Sequence, residues 1–360
     1  MKLSAVDVRV LSVPTPRPEA DGTAQWDATG VLVVLASAGS ETGLGWSPCA
    51  APAAARIVTD VLAPHVLAQD CFGVPALWSA MTHALRNAGR PGLGMMAVSA
   101  VDAALWDLKA RLLGMPLDQL LGRSRPAVDV YGSGGFVSLH EDELDGQLHR
   151  WTADLGVSSV KIKVGEDWGH CTDRDLQRAT HARHVIGDDV ALFVDANGGY
   201  TPGQARRMGA AYDDLGVTWF EEPVSSEDVN VLSQLRQDLR CDIAAGEYVD
   251  SPRAALALCG AVDCLQLDAT RCGGPTGFLR AAAVAEAHGL DVSGHCAPSM
   301  HLHVGLACPN LRHVELFSDH ERVEQLVFDG VTTTRDGQQC GTGAPGNGLQ
   351  LASRAEQFAL

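Results

Sequence analysis

Val190-Ala191-Leu192-Phe193-Val194-Asp195 is an apolar run that ends on an acid. The same design returns in Val217-Thr218-Trp219-Phe220-Glu221, and again in Asp242-Ile243-Ala244-Ala245-Gly246-Glu247. A short apolar run bounded by polar loops reads as a buried strand. Asp195, Glu221 and Glu247 are evenly spaced along the chain, one strand-plus-helix unit apart. Working outward from these three, the unit extends in both directions. The sequence predicts strands at Val128–Gly132, Val157–Val164, Val190–Asp195, Val217–Glu221, Asp242–Glu247, Cys264–Asp268, Asp291–His295 and His313–Phe317. Amphipathic stretches separate them, among them Gly203–Leu215 and the Ala-rich Thr276–Gly289. Eight strands alternating with helices predict a closed parallel β/α barrel. An open doubly wound sheet is the alternative, disfavoured because no Gly-x-Gly-x-x-Gly follows the first strand of any unit.

The residues before the barrel have another rhythm. Ala5–Val13 and Gly30–Ala36 alternate like strands of an antiparallel sheet, with the polar stretch Pro16–Thr29 read as a loop between them. Helical spacing follows, ending in Ala97–Leu121. The predicted organisation is an N-terminal α+β domain over residues 1–125, a barrel over 126–326, and a Gly-rich segment, 327–360, that returns to the first domain.

Composition limits the partners. With 46% hydrophobic and 20% charged residues, the 360-residue chain has ample material for a packed core. A net charge of −17 excludes nucleic acid and anionic membranes as partners, since both reward clustered Lys and Arg. The first ten residues alternate like a strand and lack the apolar core of a signal peptide, and no apolar run reaches membrane-spanning length. The ten cysteines are scattered without a Cys-x-x-Cys pair and read as reduced thiols. These features predict a soluble, cytoplasmic protein.

The chemistry follows from where polar residues fall on the strands. Strand C-termini converge on the mouth of a β/α barrel. Any one of Asp195, Glu221 or Glu247 alone would read as a solvated loop acid. Three on consecutive strands repel one another unless a cation lies among them, and a hard dication with oxygen ligands, Mg²⁺, suits that set. Lys161 and Lys163, two apart, share one face of a strand. On an inner barrel strand that face points inward, and crowding with desolvation lowers an ammonium pKa toward a usable base. Asp268 and His295 end the next two strands, where the carboxylate would orient the imidazole and stabilise its charged form. Glu315 completes the ring, either as a protonated donor to a substrate carboxylate or as a salt bridge at the rim. Asn197 lies just past Asp195, and Tyr131 and Ser133 lie on the first barrel strand, where substrate contact and barrel packing are both open to them.

Ser99–Lys109, Lys161-Ile162-Lys163, Asp195-Ala196-Asn197, Glu221-Glu222-Pro223, Gly246-Glu247, Asp268, Ser293-Gly294-His295 and Pro345-Gly346-Asn347-Gly348-Leu349 together resemble the mandelate racemase subgroup of the enolase superfamily. The resemblance covers nearly the whole chain. It implies a capping α+β domain on a modified (β/α)₇β barrel, with Mg²⁺ on Asp195, Glu221 and Glu247. It implies Lys163 as the base on one face of a carboxylate substrate, tuned by Lys161, and the His295–Asp268 dyad as acid/base on the other. Removal of the α-proton would give an enediolate. Trp26, Asp27 and Trp46, in cap loops near Asp21–Asp27 and Gly45–Cys49, are the implied substrate contacts. The implied reaction is dehydration of an acid sugar. Racemisation or epimerisation, lactone cycloisomerisation and a non-catalytic metal-binding barrel are the alternatives. Small-molecule carboxylates are the implied partners, and the subgroup implies a homo-oligomer. The chain departs from the subgroup at Leu120-Leu121-Gly122-Arg123, where a second glycine is usual. His295–His303 matches no subgroup of known substrate, and its His301 and His303 read either as further metal ligands or as the start of a helix.

Overall fold

A computed structural model describes residues 1–360. From residue 127 eight parallel strands follow: β4 (Ala127–Ser133), β5 (Ser159–Lys163), β6 (Ala191–Asp195), β7 (Val217–Glu221), β8 (Asp242–Ala245), β9 (Cys264–Leu267), β10 (Asp291–Gly294) and β11 (Leu311–Phe317). They pair in chain order, and β11 returns to β4, so the barrel is closed. Period-two alternation sorts their side chains. Val160, Ile162, Leu192 and Val194 point outward into the apolar layer under the helices. Tyr131, Phe193 and Trp219 point inward and fill the middle of the barrel. The barrel is therefore a packed core with a polar upper layer, and no channel runs through it.

The cap is an antiparallel meander, β1 (Ala5–Ala20), β2 (Gln25–Ala38) and β3 (Glu41–Pro48), laid on the Leu93–Leu112 helix. Here the structure corrects the sequence reading. Pro16–Thr29 is not a loop: β1 and β2 run on past a register shift between Pro14 and Glu19, and reverse only at Asp21–Ala24. Asp21 Oδ1 accepts from the backbone N–H of Thr23 (2.6 Å) and Ala24 (2.7 Å), which is enough to make the tight turn. Gly45–Cys49 is largely strand as well. A Cβ on Gly45 would stand 2.1 Å from the carbonyl oxygen of Ala100, so the glycine is what lets β3 lie directly on the helix. Ala97–Leu121 is two helices, because Gly114 turns to positive φ and Pro116 precedes the second, Leu117–Leu121.

The long helix also anchors the barrel. Ser99 Oγ accepts from Gly273 N (2.8 Å) and Gly274 N (3.1 Å), and Asp102 accepts from Thr276 N (2.9 Å) and Oγ1 (2.8 Å). These groups satisfy the open N–H donors at the start of the Gly274–Ala287 barrel helix. The helical spacing of Ser99–Ala110 thus hides two polar residues with a structural task.

After β11 a helix, Ser318–Val327, runs over the barrel rim. Phe328–Asp329 then pairs with Gln350–Leu351, Gln338–Cys340 pairs antiparallel with the first residues of β4, Ala127–Asp129, and Leu360 N donates to Val10 O (3.0 Å). No helix is long and apolar enough to cross a membrane.

The hairpin tip of the cap meets the barrel through Glu19. It is 8% exposed, accepts from Trp26 Nε1 (3.1 Å), and is pushed up to about 7 by burial and by the neighbouring Asp319. A carboxyl raised in the folded state binds its proton more tightly there. Its contribution to stability is full below the ordinary value of 4.5 and is lost as pH rises through about 7. Amide protection at the hairpin tip, followed by hydrogen exchange, should therefore fall across that interval. Glu19→Gln should flatten the fall, and an unchanged slope in the variant would contradict it.

Candidate active site

Lys161, Lys163, Asp195, Glu221, Glu247, Asp268, His295 and Glu315 all lie at the C-terminal end of the barrel, and all are buried. Strand register explains the convergence. Lys163 is level with Asp195, Asp195 with Glu221, and Glu221 with Ala244. Glu247 stands beyond β8, after Gly246. That glycine has φ +131°, and a Cβ there would lie 2.5 Å from Gln266 O, so only glycine can turn Glu247 into the mouth at this point.

Each acid has a cationic neighbour. Lys163 Nζ donates to Asp195 Oδ2. Lys161 Nζ reaches Glu221 Oε1 (2.6 Å) and Glu315 Oε1 (2.8 Å). Arg271 donates to Glu247 (2.7 Å), and His295 Nε2 lies 3.2 Å from the other Glu247 oxygen. Across the mouth, His295 Nδ1 bonds Asp268 Oδ2 at 2.9 Å. Asp268 Oδ1 accepts from Thr270 N and Oγ1, each at 2.7 Å, which holds the carboxylate still.

The charge states follow. Burial would lower Lys163, but Asp195 outweighs it and the ammonium is held well above its ordinary range. Lowering by crowding alone, the state read from the Lys-x-Lys spacing, is therefore overridden while Asp195 is the partner. Burial would likewise lower His295, yet the flanking Cys296 and Glu247, together with the Asp268 bond, hold it well above the ordinary imidazole value. Asp268, which burial would raise, is brought down to about 2 by its bond to His295. Burial and Asp195 push Glu221 up to about 8. Glu315 would rise on burial, but Lys161 keeps it well below the carboxylate range. It is ion-paired with Lys161, the salt bridge that the sequence left open beside a protonated donor. Its Oε1 accepts from Ser133 Oγ (2.6 Å) and its Oε2 from Cys296 N (2.8 Å).

Other expected contacts fall elsewhere. Tyr131 is fully buried beneath the charged layer, with Lys161 Nζ 5.5 Å above its ring and Gln266 Nε2 donating to its hydroxyl (3.3 Å). It forms the floor of the mouth. Trp46 is fully buried between His320 and Phe328, because β3 faces it into the joint between cap and barrel. Asp27 is exposed, while Trp26 packs edge-on to Phe136 (5.5 Å) over the mouth. Asn197, at φ +46°, borders a cavity of about 540 Å³ beside the mouth, together with Thr23, Trp168, Glu222 and Tyr248. His301 and His303 lie in the Pro298–Ala307 helix. His301 accepts from Ala269 N, and His303 bonds Asp118, so both are packing groups.

Four residues of the site went unread. Trp219 Nε1 and Gln266 Nε2 each donate to Glu221 Oε2 at 2.9 Å. Both sit two residues before an inward-facing acid, so strand alternation was signal enough. Arg271 follows Asp268 by three residues in a turn, and Glu222 is 2% exposed with its own carboxyl raised by burial and by Glu247. Neither carries a periodic signal.

A dication fits this mouth. Glu222 Oε1 and Asn197 Oδ1 are buried acceptors without a hydrogen-bond donor, and Glu247 Oε2 has only His295 Nε2 beside it, at 3.2 Å. Carboxylate oxygens of Glu221 and Glu247 lie within 4.8 Å of one another. The unpaired atoms are all hard oxygens, the donor type Mg²⁺ takes.

A capped β/α barrel with buried acids on three neighbouring strands, flanked by a lysine pair and an Asp–His dyad, defines a class. Residues 5–122 match the mandelate racemase / muconate lactonizing enzyme N-terminal domain, and residues 143–355 match the enolase C-terminal domain-like family. The chain belongs to this family. It is 32% identical over 300 residues to L-talarate/galactarate dehydratase of Salmonella typhimurium, covering 82% of this chain and 73% of that one. The structure of that enzyme with Mg and L-lyxarohydroxamate superposes with a TM-score of 0.92, at 28% identity over 100% of this chain and 93% of that one. D-galactarolactone cycloisomerase of Agrobacterium fabrum is 31% identical over 302 residues, 82% of this chain and 78% of its own. A mandelate racemase/muconate lactonizing enzyme-like protein from Rubrobacter xylanophilus is 44% identical, with a TM-score of 0.96 and both chains covered fully.

Gly246→Ala should cost about 1–3 kcal/mol of stability, the usual magnitude for a side chain forced into glycine-only backbone space. A lowered thermal midpoint checks it, and a midpoint equal to wild type would show that Glu247 does not depend on this turn.

Proposed function

We propose that the protein is a Mg²⁺-dependent acid-sugar dehydratase that begins by removing the proton beside the substrate carboxylate. The observation that carries this reading is the placement of Lys163 on β5 and the His295–Asp268 dyad at β9–β10, on either side of the acids of β6–β8. A structural cation has no need of flanking proton carriers. The Salmonella relative, a dehydratase, supports dehydration as the outcome. Family resemblance alone supports a homo-oligomer, and the scattered free cysteines support the cytoplasm.

When bound, Mg²⁺ held by Asp195, Glu221 and Glu247 supplies Lewis-acid charge that neutralises these carboxylates and stabilises negative charge growing on the substrate carboxylate. The chain's own groups do the rest. With Asp195 and Glu221 engaged, burial and Lys161 lower the proton affinity of Lys163, opposed by Glu315 alone. It can then take the α-proton. Asp268 keeps His295 oriented and charged, so its Nε2 can give a proton to the departing β-hydroxyl, which leaves as water. Ketonisation of the resulting enol then adds a proton at carbon and releases the proton of the enol hydroxyl, with no net change. Lys161 and Glu315, paired at 2.8 Å, fix the polar rim beside the reacting carbon.

Two outcomes test this. Glu221→Gln should weaken Mg²⁺ binding at least roughly tenfold by calorimetry, since one anionic ligand of the hard-oxygen set is lost. Exhaustive chelation should abolish turnover and leave the fold, and full activity after chelation would refute the metal's role.

The two faces are separable. Lys163→Ala should lose α-proton exchange in deuterated water, whereas His295→Asn should keep exchange and lose dehydration. Each loss should be roughly 10²–10⁴-fold, the usual contribution of a positioned acid or base. Mass spectrometry of recovered substrate beside product formation reads both. Identical losses in the two variants would point to a single base.

A further inference from the structure

The barrel mouth is divided. The acids that would hold the metal, and through it the substrate carboxylate, come from β6, β7 and β8, and the proton carriers come from β5 and β10. A substrate held between Lys163 and His295, with its carboxylate toward β6–β8, must extend toward the remaining arc, β11 and β4, under the tip of the cap. That arc is apolar. Phe317 at the end of β11, Phe136 just beyond β4 and Cys296 beyond β10 form one buried cluster, with Trp26 and Leu139 packed on it. Phe136 meets Phe317 edge-on at 5.6 Å, and Trp26 meets Phe136 at 5.5 Å. The wall borders both proton carriers. The Phe317 ring centre is 5.8 Å from Lys163 Nζ, and Cys296 Sγ is 3.3 Å from His295 Nε2.

No cation on this side is free. Lys161 is shared by Glu221 and Glu315. Arg178 donates to the carbonyls of Gly135, Phe136 and Leu139. Arg322 is paired with Asp319, and Arg17 with Glu143. His320, beside Phe317 at 5.2 Å, is kept neutral by burial, which takes it down to about 4. The remaining ionisable groups near the wall are acids: Glu315, ion-paired with Lys161, and Glu19, which accepts from Trp26 Nε1.

Resting on the dehydratase reading, we infer that the substrate is a monocarboxylic acid sugar whose far end is uncharged and presents C–H surface to the Trp26–Phe136–Phe317 wall. A second carboxylate at that end would lose its water and meet aromatic faces and like charge, with no counter-ion. A terminal methyl or hydroxymethyl group meets no such penalty. This sets the chain apart from the Salmonella relative, whose name includes galactarate, a diacid.

The test is one series that differs only at the terminal carbon: an aldonic acid, its terminal-deoxy counterpart and the corresponding aldaric acid, of the galacto configuration and its epimers. Each is offered to the Mg²⁺-loaded enzyme, with α-proton exchange and keto-acid formation followed together. The aldaric acid should be at least roughly 100-fold poorer in kcat/KM, as several kcal/mol of unpaired and like charge implies. The terminal-deoxy acid should match or exceed the aldonic acid, since an apolar pocket discriminates weakly against a missing hydroxyl. An aldaric acid turned over as well as the aldonic acid overturns the inference and leaves the dehydratase reading standing. Exchange without keto-acid formation across the series overturns the dehydratase reading, and silence in both readouts overturns the two together. Trp26→Arg places a cation at the partly exposed tip of the wall and should narrow the gap between aldonic and aldaric acid by at least about tenfold. A gap that stays the same in that folded variant shows that selection does not arise at this wall and overturns the inference.

Discussion

Asp195, Glu221, Glu222, Glu247 and Glu315 are carboxyl groups crowded into one buried barrel mouth, each almost sealed from water. Two like charges about 4 Å apart repel by about 4 kcal/mol even at an effective dielectric of 20, a large share of a domain's entire stability. The surrounding architecture answers that repulsion. β5 carries lysines on alternate residues so that both ammonium groups face inward, and the turn after Asp268 brings in Arg271. Trp219 and Gln266 add donors to Glu221 from the same inner face. Buried acceptors that still lack a donor mark where the compensation by side chains ends. Site and fold are thus one electrostatic problem, and the barrel is the frame that holds opposite charges in register.

That register explains why so much of the site was legible. A parallel strand buried on both faces has to place any polar residue inward and near its C-terminal end, so Asp195, Glu221, Lys161 and Lys163 announce themselves against the runs of Val, Leu, Ile and Phe around them. Period-two reasoning carried one step further also reaches Trp219 and Gln266. What stayed hidden has other causes. Arg271 and Glu222 act from turns, where no periodicity constrains a side chain's direction. The charge states of Lys163 and Glu315 depend on partners that arrive from other strands, and spacing along one strand says nothing about them. Tyr131, read as open to substrate contact or barrel packing, lies one layer below the mouth, a depth that the strand pattern alone does not report.

In the cap the legibility is lower, for a different reason. β1 and β2 carry Pro, Asp and Thr through their outer halves because the hairpin leaves the core sheet and crosses to the barrel, where its contacts are tertiary. Local preference argued for a loop, and packing of Trp26 against Phe136 won. β3 carries glycines, ordinarily a sign of a turn, because its neighbour is a helix backbone at van der Waals distance. Both errors fall where one body touches the other. The barrel supplies the proton carriers and acids from its own strands, while the far wall of the mouth is assembled from both bodies.

The pairing of the chain ends bears on how such proteins diversify. Ala359 bridges to Leu11 and the last amide bonds Val10, so β1 is edged by the final residues of the chain. Segments on both sides of the barrel in sequence therefore meet along β1. Recombination that exchanges only the first 125 residues would bring a foreign β1 to a native tail, and the seam would lie beside the hairpin that roofs the mouth. The cap cannot travel as a single contiguous cassette, so new combinations of roof and barrel are reached more readily by residue-by-residue change in the hairpin tip than by shuffling of domains.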